Sequence, residues 1–361
     1  MTAHENVDSS RAARARWLLH PFDDAPAWNR LLQRINPVWS LNEIRARLVR
    51  RVEEDDETIS LWLQANGRWP GHAAGQHVAL GVEIDGVMRQ RVFTLSTPER
   101  PDGRLRITLR RQPGGGVTDW LHRNARTGQI VTLSRPSGNF VLPQPWPKRL
   151  LMLAGGSGLT PMMAMLGQLA DENYDGDIVL VQLCRDARKR LFAGELDQLQ
   201  AKLPGLQIHV HASSQSGRLC ASALAALVPE LAGRHCLLCG PSAWMAEVGR
   251  LYKRRGLSDR LQRERFGAPR PESAAGDDQH ITASRSRQMF TQKPGASLLE
   301  SAEAAELTPA YGCRAGLCRT CLCKKQRGTV RNLITGLRSE QPDEWVQLCV
   351  SVAESDLELS L

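Results

Sequence analysis

Hydrophobic positions change their period along this chain of 361 residues, and the change divides it into modules. From residue 43 the period is two. Ala46, Leu48, Val49 and Val52 lead into an acidic turn at Glu53-Glu54-Asp55-Asp56, and the stretch Ile59-Ser60-Leu61-Trp62-Leu63 follows. Segments 77–84, 91–95 and 105–109 continue in the same way, with Asp85-Gly86 and Asp102-Gly103 between them as turns. Short alternating runs separated by tight turns predict a small antiparallel β-barrel, over 43–145. After Arg149 the pattern becomes buried runs alternating with helical ones. Strands are predicted at 150–153, 178–183, 207–210 and 236–238, with a helix at 161–169 after a glycine-rich turn. That order predicts an α/β domain on a parallel sheet, over 146–266. Residues 267–279 carry Pro, Gly, Ala and charge without a period, as a linker does. An N-terminal helical segment over 1–42 and a last domain over 280–361 complete a multidomain layout of the size the chain requires.

Lys and Arg outnumber Asp and Glu by 47 to 38, for a formal charge of +9. The cations are spread along the chain and aromatics make up only 5% of it, which argues against a nucleic-acid interface. A basic surface suits phosphorylated cofactors, an acidic protein partner or an anionic membrane face. The polar start at residues 1–6 is no secretory signal, and the most apolar run, 150–166, is interrupted by Gly155, Gly156, Gly158 and Pro161, so nothing is expected to span a bilayer. Cysteine usage fits a reducing compartment, and the expected location is the cytoplasm. Residues 11–19 mix Arg with Trp17, Leu18 and Leu19. They read either as a helix on the inner face of a membrane or as a small helix packed on the barrel.

The most specific chemistry is near the C-terminus. Cys313, Cys318, Cys321 and Cys349 follow C-x4-C-x2-C with a distant fourth cysteine, the plant-type spacing for a [2Fe-2S] cluster. Small residues in the loop 311–321 let backbone amides turn toward the sulfurs and stabilise their charge. A zinc site is the alternative, but zinc knuckles pair two C-x2-C hooks and only Cys318 and Cys321 form one. Cys323 falls outside the spacing and reads as a packing residue.

Other motifs are weak singly. Arg91, Phe93 and Thr94 share one barrel strand, as do polar and apolar residues in any strand. The run Gly114-Gly115-Gly116-Val117-Thr118 feeds a helix whose free amides could bind phosphate, or is a solvated loop. Ser137-Gly138-Asn139-Phe140 is uninformative alone. Gly155-Gly156-Ser157-Gly158-Leu159-Thr160-Pro161 joins a buried strand to a helix, where a nucleotide phosphate would meet backbone amides, although tight connections look the same. Cys239-Gly240-Pro241 ends a strand on the edge where open sheets bind ligands, with Cys239 otherwise a small buried hydrophobe.

In order along residues 43–361, these motifs resemble the ferredoxin-NADP reductase superfamily in its fused form, with a C-terminal plant-type ferredoxin domain of β-grasp fold. The resemblance implies FAD, a [2Fe-2S] cluster and NADPH or NADH. It implies that Arg91 pairs with flavin phosphate, Phe93 lies along the isoalloxazine and Thr94 faces N5. The family's commoner R-x-Y-S is R-x-F-T here, so a tyrosine hydroxyl is lost. Gly115, Gly116 and Thr118 match the pyrophosphate loop. Gly156, Gly158, Thr160 and Pro161 match the nicotinamide-nucleotide loop, and Cys239, Gly240 and Pro241 the segment near the nicotinamide. Glu264-Arg265-Phe266 matches an E-x-F whose Phe266 would shield the flavin. Ser213, Ser214 and Arg218 follow the 207–210 strand, and with no carboxylate there to claim a ribose hydroxyl they tilt the expectation toward NADPH.

The implied reaction is hydride transfer from NAD(P)H to the flavin, then single electrons through the cluster to a terminal acceptor protein. With Asn36-Pro37-Val38-Trp39-Ser40 before the barrel, the chain looks most like reductases that serve membrane acyl-CoA desaturases. The rivals are a reductase for a ring-hydroxylating oxygenase or other monooxygenase, and a non-enzymatic redox sensor. Arg314, Arg319, Lys324 and Lys325 are expected to form the cationic rim on which the acceptor docks.

Overall fold

The computed structural model describes residues 25–114, 116–266, 278–312, 314, 316 and 319–361. Residues 11–19, Gly115, Cys313, Cys318 and most of the 267–279 stretch therefore lie outside the described residues.

Six strands build the first sheet: β1 (Ile44–Glu53), β2 (Thr58–Ala65), β3 (His77–Ile84), β4 (Val87–Thr94), β5 (Arg104–Arg110) and β6 (Ile130–Leu133). Their order is β4-β3-β6-β1-β2-β5, and every pairing is antiparallel. Leu95, one residue past β4, bridges to Ile107 of β5 and so returns the sheet on itself as a barrel. Alternation explains the closure. Ile44, Ala46 and Leu48 of β1 point inward and meet Ile59, Leu61 and Leu63 of β2, Leu80 of β3 and Ile107 of β5 in one core. Each Ile or Leu side chain so removed from water contributes about 1.5 to 3 kcal/mol. A helix over Ala25–Ile35 precedes the barrel. The strap Asn36–Ser40 is pinned to it by hydrogen bonds from Arg45 Nε to Pro37 O, Asn66 Nδ2 to Val38 O and Arg68 Nε to Ser40 O.

The second sheet is parallel throughout, in the order β11-β10-β7-β8-β9. Its strands are β7 (Arg149–Gly155), β8 (Asp177–Cys184), β9 (Leu206–Ala212), β10 (His235–Cys239) and β11 (Leu261–Glu264). Helix Leu159–Asp171 buries Met162, Met165, Leu166 and Leu169 against Leu150 and Met152 on one face. Helix Ser242–Arg254 buries Met245, Val248 and Leu251 against Leu151 and Leu238 on the other. Side chains of successive strand residues alternate between these layers, which is why the strands read as unbroken apolar runs. β11 was not predicted, because Leu-Gln-Arg-Glu is an edge strand whose polar side chains hide its pairing with β10.

The last module opens on β12 (Gln279–Ala283), so strand begins one residue inside the expected linker. It adds β13 (Gln288–Gln292), β14 (Leu322–Arg327), β15 (Val330–Asn332), β16 (Arg338–Ser339), β17 (Glu344–Gln347), β18 (Ser351–Ala353) and β19 (Leu357–Leu359). The main sheet runs β13-β12-β19-β14-β17, with β12 parallel to β19, and helix Leu298–Ala304 lies in its grasp. That helix starts with a capping box, Ser297 with Glu300, which satisfies two otherwise free amides. One expectation fails here. Lys325 is fully buried, and its ammonium donates to Gly328 O and Ser339 O at 2.8 Å each, so it braces the fold and is no part of a docking rim. Arg314 is also engaged, ion-paired to Glu303 and stacked over Tyr311 at 3.9 Å.

Candidate functional site

The C-terminal edge of the parallel sheet faces the barrel, and the sequence motifs meet there. Gly156 turns the chain out of β7 with φ +57°, a conformation that glycine adopts without steric cost. Gly158 then passes so close to the end of β10 that a Cβ would overlap the Cys239 carbonyl and stand 3.0 Å from the Gly240 nitrogen. Gly155 has the same relation to Pro241, whose Cδ would be 2.6 Å from a Cβ. The two motifs thus form one glycine-lined floor. Thr160 donates its hydroxyl to Ser157 O at 2.9 Å, which fixes the first turn of helix Leu159–Asp171, and Pro161 is buried within that turn. The Gly156–Gly158 turn also lies against β5 of the barrel. Cys239 is buried, and burial holds its thiol well above the usual range, with Glu264 adding to the effect.

Register carries the site across the seam between the domains. Thr94 pairs with His77 in the barrel ladder, and Glu264 pairs with Cys239 in the parallel sheet. His77 Nδ1 stands 3.3 Å from Glu264 Oε1, so Thr94, His77, Glu264 and Cys239 form a continuous line from one sheet to the other. Burial raises the Glu264 carboxyl above its ordinary value, and the hydrogen bond from His77 offsets part of that rise. Phe266 follows two residues later and is 42% exposed. Phe93 belongs to the buried apolar cluster of the barrel with Val78 as its ladder partner, on the strand face shared by Arg91.

Arg91 is half-buried and donates to Gln112 Oε1 at 2.9 Å; among the described residues it forms no ion pair to a carboxylate. Burial, reinforced by Arg314 nearby, lowers its pKa. A guanidinium held in that way is a ready site for an added anion. Gln112 links it to the glycine loop, because its backbone amide donates to Thr118 Oγ1 at 3.3 Å and Gly116 caps helix Val117–Asn124. The fit to a flavin phosphate rests on this unpaired charge beside free helix amides. At the far end of the sheet, Ser213, Ser214 and Arg218 are exposed immediately past β9.

In the last module, Cys321 and Cys349 bring their sulfurs to 3.2 Å. That sulfur–sulfur contact and backbone amides of Leu348, Cys349 and Cys321 itself lower the Cys321 thiol to about 6, the thiolate form that iron requires. Gln347 Nε2 ties down the loop at Gly316 O, 2.8 Å away. Gly316 has φ +76°, and a Cβ there would come 2.7 Å from Ile334 Cδ1. Cys323 is buried among apolar side chains with its thiol raised to about 11, as a packing residue should be. Sequence reasoning missed His77, Gln112 and Arg106, since each acquires a role only through a partner distant in the chain. Arg106 is almost fully buried, donates to Ser96 O at 2.8 Å and pairs with Glu195 of the neighbouring domain at 2.5 Å.

Family models match all three modules: an oxidoreductase FAD-binding domain over 46–142, an oxidoreductase NAD-binding domain over 152–250 and a 2Fe-2S iron-sulfur cluster binding domain over 281–354. The chain is similar to an NADPH oxidoreductase of Mycobacterium tuberculosis, at 33% identity over 330 residues, covering 90% of this chain and 86% of that one. It is 31% identical over 275 residues to the ferredoxin reductase component of a 3-ketosteroid-9-alpha-monooxygenase of Mycolicibacterium smegmatis, covering 72% and 77%. Its fold matches phthalate dioxygenase reductase with a TM-score of 0.61 at 24% identity, over 89% of this chain and 98% of that one. No helix among the described residues is long and apolar enough to cross a membrane. The cofactors are FAD, NAD(P)H and a [2Fe-2S] cluster, and the chain is an NAD(P)H oxidoreductase that belongs to the ferredoxin reductase family joining FAD-binding, NAD-binding and C-terminal 2Fe-2S domains.

Proposed function

We propose that this reductase takes electrons from NADPH and delivers them singly, through its cluster, to a terminal oxygenase component. The observation that supports the hydride step best is the convergence of Thr94, the Gly156–Thr160 turn, Cys239–Pro241 and Glu264 at one interdomain seam. Bound flavin supplies the exchange of one two-electron donation for two one-electron ones, and the cluster supplies single-electron carriage. The protein's part is orientation. Arg91 holds the flavin phosphate, helped by the amides of Gly115 and Gly116 and by Thr118, which anchors the loop. Thr94 presents its hydroxyl toward N5, with Phe93 supporting the ring from within the barrel. Gly156, Gly158, Thr160 and Pro161 receive the nucleotide's phosphates, while Cys239, Gly240 and Pro241 form the floor under the nicotinamide. Phe266 covers the flavin until the nicotinamide enters. Cys313, Cys318, Cys321 and Cys349 ligate the cluster.

NADPH is the preferred donor in this reading, because Arg218, Ser213 and Ser214 stand where a 2'-phosphate would lie and β9 ends without a carboxylate. The oxygenase acceptor is favoured by the relatives whose names include monooxygenases. A second reading, a membrane acyl-CoA desaturase as acceptor, is carried by the 36–40 strap, which leaves Trp39 and Leu41 exposed beside the barrel. One experiment separates them. The holoprotein with NADPH is presented in parallel with an oxygenase component and with desaturase-containing membranes. Turnover of the oxygenase alone is expected; desaturation without oxygenase turnover would establish the second reading.

A further inference from the structure

β11 is stitched to the barrel at alternate residues. Gln262 Nε2 donates to Asn139 O at 2.6 Å, and Glu264 Oε1 meets His77 Nδ1 at 3.3 Å. Phe266 lies two residues beyond Glu264, just past the end of β11. The His77 ring occupies a built cradle. Gly138 has φ +109°, and a Cβ there would stand 2.7 Å from the ring's Cε1 and 2.8 Å from Nδ1, so no other residue fits beneath it. This gives a reason for Ser137-Gly138-Asn139, a motif that flavin and nucleotide binding left unexplained. The remaining polar atoms of the pair, His77 Nε2 and Glu264 Oε2, are buried without hydrogen-bond partners among the described residues. The polar tie between the two side chains is therefore their one mutual contact, in surroundings of low dielectric where such a bond is strong.

We propose that His77 is a positioning residue, whose grip on Glu264 fixes where the chain leaves β11 and so holds Phe266 over the flavin face that the nicotinamide must reach. This rests on the reading of Phe266 given above. Burial raises the Glu264 carboxyl above its ordinary value, and the contact with His77 lowers it again in part. The other ionisable or charged groups near Glu264 are the Cys239 thiol on β10, kept neutral by burial, and Arg263 and Arg265 on its own segment. Arg263 turns away, against Gly249 of helix Ser242–Arg254. His77 has Thr94 opposite it and Gly138 beneath it.

The test is NADP+ binding to the oxidised holoenzyme, followed through the flavin absorbance, with FAD content and melting temperature recorded alongside. His77→Ala frees Phe266 to give way, so the NADP+ dissociation constant should fall on the order of tenfold, the equivalent of one charge-assisted hydrogen bond. Phe266→Ser should tighten binding similarly, and adding His77→Ala to it should change nothing further. His77→Asn places an amide where Nδ1 stands, so it should restore the contact with Glu264 and keep wild-type affinity. If Phe266→Ser binds NADP+ like the wild type, the shielding role fails and this inference with it. If Phe266→Ser tightens binding but His77→Ala does not, or if His77→Ala acts equally in the Phe266→Ser background, this inference alone is overturned. Should His77→Ala lose its FAD, Glu264→Ala removes the same contact from the other side, and wild-type NADP+ affinity there overturns it instead.

Discussion

Gly158→Ala isolates the contact on which nucleotide binding is proposed to rest. The new Cβ would overlap the Cys239 carbonyl and lie 3.0 Å from the Gly240 nitrogen, and all of these neighbours are backbone. Backbone at the end of a central strand cannot rotate away as a side chain would, so the Gly156–Gly158 turn must lift from Cys239–Pro241. Overpacking of this kind costs about 1 to 3 kcal/mol. If the lifted turn misplaces the nucleotide, the same energy lowers kcat/KM for NADPH by roughly five- to 150-fold, since each 1.4 kcal/mol is about a factor of ten. Gly156→Ala is the control: a Cβ there meets nothing within 4 Å, so only the φ of +57° is strained, at about 1 to 2 kcal/mol. Steady-state NADPH-ferricyanide kinetics measure both variants, with flavin content confirming that the barrel is intact. Gly158→Ala with wild-type kcat/KM, or with a loss smaller than that of Gly156→Ala, would refute the assignment of this floor to the nucleotide.

Cys321→Ala and Cys349→Ala should each abolish the visible iron-sulfur absorbance while leaving NADPH-ferricyanide activity through the flavin, whereas Cys323→Ala should alter neither spectrum nor rate. Arg218→Ala should raise the KM for NADPH about tenfold or more and leave that for NADH nearly unchanged, as expected for loss of one exposed charge-assisted contact; equal effects on both would remove the 2'-phosphate argument. Glu264→Gln should flatten the pH dependence of stability. The folded carboxyl has a raised pKa, so its contribution is full below the ordinary value of 4.5 and is lost as pH rises through the folded one. Thermal melts of both proteins from acid to neutral pH would show whether the wild type loses more on that rise. Lys325→Met should destabilise the last module by about 1 to 3 kcal/mol by leaving the Gly328 and Ser339 carbonyls without their shared donor, seen as an earlier loss of cluster absorbance on heating.

The barrel and the parallel sheet were legible because their cores impose periods of two and of strand-helix alternation on the sequence, and the described strands fall where Ile59–Leu63, Leu150–Leu153 and Ile178–Leu183 placed them. Cysteine spacing identified the cluster since iron geometry constrains few residues tightly. What escaped was whatever depends on a distant partner. β11 has one apolar residue, Leu261, followed by three polar ones, and its pairing with β10 is what makes it a strand. Lys325 carries a surface residue's side chain into the interior because two carbonyls and Glu344, at 3.5 Å, receive it there. No local pattern reports such a partner.

The seam between barrel and parallel sheet bears on how the reaction can proceed. Ala74, Phe140 and Leu142 from the end of the barrel region share a core with helix Leu159–Asp171, and a Cβ on Gly167 would stand 2.9 Å from Pro98. Arg106, lying 4.6 Å from the Phe192 ring centroid and 5.3 Å from that of Trp62, adds a buried cation to the same contact. An interface with apolar packing and a buried guanidinium that reaches across it to the part-exposed Glu195 carboxylate resists reorientation more than the polar contacts of domains that move freely. Hydride transfer needs reacting atoms within about 3 to 3.5 Å, a tolerance that a loose hinge would forfeit. Single-electron transfer is less demanding of contact geometry than hydride transfer. It follows that weakening Arg106 should slow flavin reduction by NADPH more than it slows the later passage of electrons to the cluster, an order that stopped-flow traces at the flavin and cluster bands resolve separately.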